Sequence, residues 1–171
     1  SASLLLILLI LASVYFFKGS RGKIESIAVL PLKNLSGVPE QEYFTDGITE
    51  ELISSLTQIK ALKRVISRTS VMKYKGALKT IPEIARELGV DAIVEGSVSY
   101  AEQRVRITIQ LIEAKSDRNI WSKSYERNLS NILVLQSELA RAIAREIKVV
   151  LTPEEAARLG RARPVNTEAC L

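Results

Sequence analysis

Short apolar runs and apolar residues at helical spacing alternate along the first half of the chain. Residues 26–30 (SIAVL), ended by a proline, predict a buried strand, and residues 64–67 predict a second short strand. A helix is predicted over about residues 45–58, because its apolar residues recur at helical spacing: Ile48, Leu52, Leu56 and Ile59. A capping box with an internal proline, Thr80-Ile-Pro-Glu83, predicts the start of a helix that ends at Gly89.

In the second half, strict alternation of apolar and polar residues predicts strands. Residues 91–100 and 103–113 are joined so closely that an antiparallel hairpin is expected. Residues 119–126 predict a further strand, with Trp121 and Tyr125 on one face, where core packing is the expected role. A long amphipathic helix follows, with this apolar stripe: Ile132, Leu135, Leu139, Ile143 and Ile147. The predicted fold class is α/β (α+β), a mixed β-sheet with packed helices in the order β-α-β-α-β-β-β-α, preceded by one transmembrane helix.

The transmembrane helix is predicted at the start of the chain. Residues 2–17 carry no charged side chain, and eight of them in succession are aliphatic, so insertion into a bilayer is favoured by roughly several kcal/mol. A cleaved signal peptide would need a basic start, and a lipoprotein signal would need a cysteine just after the apolar run. A buried core helix is a third alternative, but the segment is apolar on every face.

Composition removes most covalent chemistry from this chain. It contains no histidine, the commonest general base and metal ligand, and its only cysteine is Cys170. The glycine patterns of phosphate-binding loops and of nucleophile elbows are missing from the sequence. We therefore expect no catalytic residue, no metal site and no cofactor.

Charge is unevenly distributed between two clusters. Residues 60–79 contain seven basic residues and no acid, and four of them form a candidate surface for an anionic ligand or a partner: Arg64, Arg68, Lys73 and Lys75. A solvated basic face is the alternative. Only Tyr74 could stack on a base, so no direct nucleic-acid binding by this segment is expected. The acidic cluster is interpreted as helix N-terminal charge and a solvated loop: Glu40, Glu42, Asp46, Glu50 and Glu51.

Several stretches resemble a bacterial module, the TolB-like amino-terminal domain. They are residues 27–53 (IAVLPLKNLSGVPEQEYFTDGITEELI), 64–76 (RVISRTSVMKYKG), 87–98 (ELGVDAIVEGSV), 105–127 (VRITIQLIEAKSDRNIWSKSYER) and 151–159 (LTPEEAARL). Leu32 stands where the family usually has Phe, and Val38 where it often has Asp. The resemblance implies a module without catalytic residues. It also implies a position between a cytoplasmic effector and tetratricopeptide repeats, the effector being a winged-helix DNA-binding, adenylate cyclase or serine/threonine kinase domain.

The expected organisation combines the anchor with this module. Residues 1–18 are the transmembrane helix, 19–23 a linker, 24–150 the TolB-like α/β domain, and 151–171 a short helix and linker toward a tetratricopeptide-repeat region. The expected function is a non-catalytic, membrane-anchored sensory or scaffolding module that binds a protein or ligand. The alternative is a segment of a multidomain adenylate cyclase or serine/threonine kinase. The resemblance implies a single-pass protein of the cytoplasmic (inner) membrane with a periplasmic domain, whereas the basic residues after the anchor favour a cytoplasmic one.

Overall fold

The computed structural model describes residues 23–101, 103–128, 132–146 and 157, and these ranges form a six-stranded mixed sheet with helices on both faces. The elements follow the chain in this order: β1 Ser26–Val29, β2 Lys33–Asn34, α1 Glu40–Thr57, β3 Arg64–Val65, α2 Arg68–Met72, α3 Ile81–Leu88, β4 Ala92–Ala101, β5 Arg104–Glu113, β6 Arg118–Asn128 and α4 Ile132–Glu146.

The sheet has the strand order β3-β1-β4-β5-β6. Strand β1 lies between β3 and β4 and is parallel to both. Strand β2 continues beside β4 where β1 has ended, again in parallel. The other two pairings, β4 with β5 and β5 with β6, are antiparallel. The predicted hairpin is therefore confirmed, and it forms the larger half of the sheet.

One face of the hairpin packs into the main core. Its predicted apolar positions on β5 are all fully buried: Val105, Ile107, Ile109 and Leu111. Helices α1 and α4 pack against each other and on this side of the sheet, and Leu52, Leu135 and Leu139 are buried between them and the strands. Tyr125 is buried and Trp121 is partly buried against the same core, as predicted.

Helix α3 shows the predicted local signals at both ends. At its start the capping box is present: the Thr80 backbone N–H donates to the Glu83 carboxylate at 2.8 Å, and Pro82 lies in the first turn. At its end Gly89 has a φ of 62°, a left-handed conformation that other residues adopt only with strain. These signals involve residues close in sequence, so they could be read without tertiary information.

The structure contains two elements that the sequence analysis did not predict, strand β2 and the short helix α2. Strand β2 has only two residues and follows Pro31, so it left no alternation to detect. Residues 66–67 were expected to continue β3, but Ser67 is extended and precedes the short helix α2. Helix α1 begins at Glu40, five residues before the predicted start, because the Val38 and Pro39 carbonyls accept hydrogen bonds from the Gln41 and Glu42 backbone N–H groups.

The predicted transmembrane helix is not part of the described architecture, which corrects the fold class to a mixed-sheet α+β domain. In the ranges given above, no helix combines the length and the apolar character needed to cross a bilayer. Helix α1 has 18 residues but five carboxylates, and α4 has 15 residues, fewer than the roughly 20 that span a membrane. The predicted span at 1–18 itself lies outside the described residues, as do the linkers at 19–23 and 151–171 apart from Lys23 and Ala157.

Candidate binding surfaces

The four basic residues singled out in the sequence do not form one surface. Arg64 belongs to β3, and its side chain reaches the C-terminal end of α3. There its guanidinium donates to the Leu88 carbonyl at 2.9 Å and also to the Gly89 carbonyl. It therefore satisfies backbone acceptors that the end of a helix leaves open. This role separates Arg64 from the other three residues.

Arg68 and Lys75 converge on the acidic side of α1. The Lys75 ammonium lies 2.5 Å from a Glu42 oxygen and 2.7 Å from an Asp46 oxygen. The Arg68 guanidinium lies 3.7 Å from Asp46 and 3.8 Å from Glu50. The hydrogen bond from Lys75 lowers the pKa of Glu42. Burial opposes the charge of Lys75, but its bonds to Asp46 and Glu42 prevail and raise its pKa.

Lys73 belongs to a separate cluster around Tyr74. The ammonium groups of Lys73 and Lys79 lie 4.9 Å and 5.8 Å from the centre of the Tyr74 ring, within the range of cation–π attraction. The Tyr74 hydroxyl donates to Glu87 at 2.7 Å, and both lysines form ion pairs with Glu87. The hydrogen bonds from Lys79 and Tyr74 lower the pKa of Glu87.

These contacts explain the two charge clusters together. Carboxylates or backbone carbonyls compensate each of the four predicted site residues, and most of the acids belong to the cluster on α1. The basic stretch thus compensates three of the five carboxylates of α1 and contacts α3 at Glu87 and at the Leu88 carbonyl. Binding of an anion by Arg64, Arg68, Lys73 and Lys75 stays a prediction.

An exposed apolar surface surrounds the start of α1, and the sequence analysis missed it. We call it the aromatic patch, and it consists of Leu35, Val38, Tyr43 and Phe44. Tyr43 is 86% exposed, and Leu35 is 54% exposed. Groups of large apolar side chains as exposed as these are typical of interaction sites.

Two hydrogen bonds and one ring contact place Leu35, Val38 and Phe44 near the end of β4. The Leu35 N–H donates to the Val98 carbonyl at 2.8 Å, and the Asn34 side chain donates to the Val38 carbonyl at 3.1 Å. The Phe44 ring meets the Tyr100 ring edge to face, with centroids 5.6 Å apart. Phe44 is thereby anchored to the sheet, while Tyr43 projects into solvent.

A sequence signal for this patch did exist. Tyr43 falls outside the apolar stripe of α1, whose buried members include Ile48, Leu52 and Leu56. A large aromatic residue off the buried stripe is a candidate for binding rather than packing. The helix was predicted to begin after Tyr43, which concealed that mismatch.

The acidic side chains of the described residues are not grouped as metal ligands. Within the ranges that the structure covers, no group of three or more acidic or cysteine side chains is arranged to hold a metal ion. The acids of α1 instead contact Lys75 and Arg68, which compete for the same oxygens.

The fold resembles those of two solved bacterial proteins. TolB from Acinetobacter baumannii matches with a TM-score of 0.52 and 13% identity, over 74% of this chain and 30% of that chain. Lipoprotein GNA1162 from Neisseria meningitidis matches with a TM-score of 0.52 and 20% identity, over 75% of this chain and 99% of that chain. At the level of fold, the predicted TolB-like domain is supported.

Sequence comparison gives a closer relationship. A protein named "Putative adenylate cyclase 3" from Rhizobium meliloti (strain 1021) is 43% identical over 144 residues, which is 84% of this chain and 24% of that protein. The chain thus spans about a quarter of the length of this relative. The family model for the second domain of HilA/YgeH-like transcriptional regulators matches residues 23–142. The matched residues make up well over half of this chain. The chain therefore belongs to the family of HilA/YgeH-like transcriptional regulators and corresponds to their second domain.

Proposed function

We propose that this domain is a non-catalytic binding module that docks onto a neighbouring domain of the same full-length regulatory protein. The observation that carries the proposal is the aromatic patch, where Tyr43 and Leu35 expose apolar surface on a rigid helix-and-sheet support. Two findings support a partner within the same protein: the matched family model describes a second domain, and the 43% identical relative is about four times as long as the match.

Charge indicates what the partner's surface is like. Helix α1 carries five carboxylates and no basic residue. Lys75 and Arg68 compensate Glu42, Asp46 and Glu50, but Glu40 at the edge of the patch is exposed and has no ion-pair partner among the described residues. The complementary surface is therefore an apolar depression for Tyr43 with a basic rim.

Truncation of Tyr43 tests the docking site. Hydrogen exchange of residues 35–46 is compared between the full-length protein and this chain alone. We expect these amides to be more protected in the full-length protein, and Tyr43→Ala to reduce that extra protection at least about tenfold, the effect of losing an interface anchor. The matched control is Leu78→Ala, since Leu78 is also fully exposed but lies in the segment between α2 and α3.

Tyr43→Ala is not expected to unfold the domain, because Tyr43 is exposed and its truncation leaves the core intact. Equal exchange of residues 35–46 in both proteins would show that the patch is free in the full-length protein. Equal effects of Tyr43→Ala and Leu78→Ala would show that the docking site lies elsewhere. Either result contradicts the proposal.

The full-length protein has a second candidate output, adenylate cyclase activity. The name of the 43% identical relative favours it, whereas the family model favours transcriptional regulation. In both cases we expect this chain itself to be non-catalytic, and the composition supports that expectation because histidine is missing from the sequence. Formation of cyclic AMP is measured for the full-length protein and for this chain. Turnover by this chain alone would refute the non-catalytic assignment.

A further inference from the structure

A groove on the second face of the sheet is separate from the aromatic patch. It encloses about 380 Å³ and lies between the segment from Tyr74 to Ile84 and the polar sides of β4 and β5. That volume falls within the range of roughly 300–1,000 Å³ seen for small-molecule sites. The strands contribute a row of polar side chains to the groove: Glu95, Ser97, Thr108 and Gln110.

The alternation of the strands explains why this face is polar and open. On β4, Val94 and Val98 point to the core under α1, so Glu95 and Ser97 point to the opposite face. Thr108 pairs with Ser97 in the antiparallel register, and therefore lies on the same face. Helix α3 lines one side of the groove through Ile84, while the polar positions remain accessible.

Glu95 is the unusual residue of the groove. Its side chain is half-buried, yet its carboxylate has no hydrogen bond or ion pair with any residue in the described part of the chain. Burial, with a smaller contribution from Asp117, raises the pKa of this carboxyl. A half-buried carboxylate without a partner destabilises the folded state, so it needs a reason other than stability.

An ammonium group without a partner lies on the same wall. Lys33 of β2 is opposite Ser97 on β4, so its side chain shares the face of Glu95. Strand rise and spacing place the Cα atoms of Lys33 and Glu95 about 8 Å apart. Lys33 is exposed, and among the residues that the structure describes it has neither an ion pair nor a hydrogen bond through its side chain. Lys79, on the opposite wall, is already paired with Glu87.

We propose that this groove binds a small zwitterion of amino-acid size, whose ammonium group pairs with Glu95 and whose acid group pairs with Lys33. The Ser97 hydroxyl is next to both charged residues, whereas the Thr108 hydroxyl and the Gln110 amide line the far side of Glu95 on β5, and all three can bond polar groups of the ligand. Ile81 and Ile84 on the helix side provide apolar contact for an aliphatic chain. The site would make the module a receptor for a metabolite, in addition to its docking role.

Three matched probes test which charges the groove requires. They are ε-aminocaproate, which carries both charges, hexylamine, which carries only the ammonium, and caproate, which carries only the carboxylate. Binding to the full chain is followed by NMR shifts of the Ser97, Thr108 and Gln110 amides. We expect ε-aminocaproate to bind most tightly, hexylamine at least about threefold more weakly, and caproate least of all, because a charge-assisted bond is lost each time.

Two variants and one control connect the binding to the proposed residues. Glu95→Gln is expected to raise the Kd of ε-aminocaproate at least about tenfold, and Lys33→Gln about threefold to tenfold. Lys123→Gln is the control, since Lys123 lies on the other face of the sheet beside Tyr125, and its Kd should not change. Loss of folding is excluded separately, because Glu95→Gln should raise the melting temperature by removing a charge without a partner.

Three outcomes would contradict the proposed binding site. If ε-aminocaproate binds Glu95→Gln as tightly as it binds the unsubstituted chain, the Glu95 carboxylate does not take part in recognising the ligand. If none of the three probes shifts the Ser97, Thr108 and Gln110 amide signals at millimolar concentration, the groove does not bind such a zwitterion. A fall in melting temperature for both Glu95→Gln and Lys33→Gln would show that these residues stabilise the fold by pairing with each other. None of these results bears on docking through Tyr43.

Discussion

The substitution Gly96→Ala is expected to destabilise the domain by about 3 kcal/mol or more, an unusually large effect for one methyl group. Gly96 lies in the middle of β4, opposite Ile109 of β5. A Cβ atom at this position would lie 2.2 Å from the Thr108 carbonyl oxygen and 2.9 Å from the Ile109 side chain. The oxygen belongs to the backbone of the neighbouring strand, so it cannot move aside without opening the hairpin.

The measurement is the free energy of unfolding from urea denaturation. The matched control is Gly47→Ala in α1, where a Cβ atom meets nothing within 4 Å. Alanine has the higher helix propensity, so this control should stabilise the domain by roughly 0.5–1 kcal/mol. The two substitutions add the same methyl group and should change stability in opposite directions. A loss below about 1 kcal/mol for Gly96→Ala would show that β4 and β5 are not in this register.

The second large effect is expected at Asp91, which ties the start of β4 to the start of β1. One carboxylate oxygen accepts three hydrogen bonds: from the Glu25 N–H at 3.0 Å, the Ser26 N–H at 2.9 Å and the Ser26 hydroxyl at 2.7 Å. The Asp91 N–H in turn donates to the Ser26 hydroxyl oxygen at 3.0 Å. Asp91→Ala should therefore lower the free energy of unfolding at neutral pH by about 2 kcal/mol, since these bonds involve a charged acceptor.

The pH dependence of this effect has a definite sign. Burial alone would raise the pKa of Asp91, but the bonds from Ser26 and from the backbone prevail and lower it. A carboxyl whose pKa is lowered by folding stabilises the protein above its unfolded pKa of about 3.9, and that stabilisation is lost as the pH falls through the folded pKa. Asp91→Ala should thus cost most at neutral pH and progressively less in acid.

Urea denaturation at neutral and acidic pH tests both statements. Asp91→Asn is the informative companion, since it keeps the shape and one acceptor oxygen but removes the charge. We expect an intermediate loss with little pH dependence of its own. If the cost of Asp91→Ala were the same at all pH values, the negative charge would not be the source of the stabilisation.

Elements that depend on neighbours in sequence were predicted well. The hairpin of β4 and β5 was evident because Val105 and Ile107 alternate with polar residues, and a tight connection forces adjacent strands to pair. The capping box at Thr80 and the glycine at position 89 identified both ends of α3, since the groups that they satisfy lie within one turn. The core stripe of α4 was also recognised at Leu135 and Leu139.

Contacts between distant residues could not be predicted in this way. The position of β1 between β3 and β4 depends on pairings that span dozens of residues. The acidic and basic clusters were both visible in the sequence, but their mutual compensation through Asp46, Arg68 and Lys75 required the packing of α2 and the turn after it beside α1. The exposure of Tyr43 likewise depends on where α1 begins and how it lies on the sheet.

The sequence by itself indicated a mixed-sheet domain with a TolB-like pattern and no histidine, because composition and periodicity can be read without knowledge of the fold. Only the tertiary structure decided which charges are compensated and which are not. Arg68 and Lys75 were predicted to be available for a ligand and are paired with carboxylates. Glu95 and Lys33 were not predicted as site residues and have no partner among the described residues. The reason is physical: the electrostatic state of a side chain depends on burial and on groups a few ångströms away in space, whatever their distance along the chain.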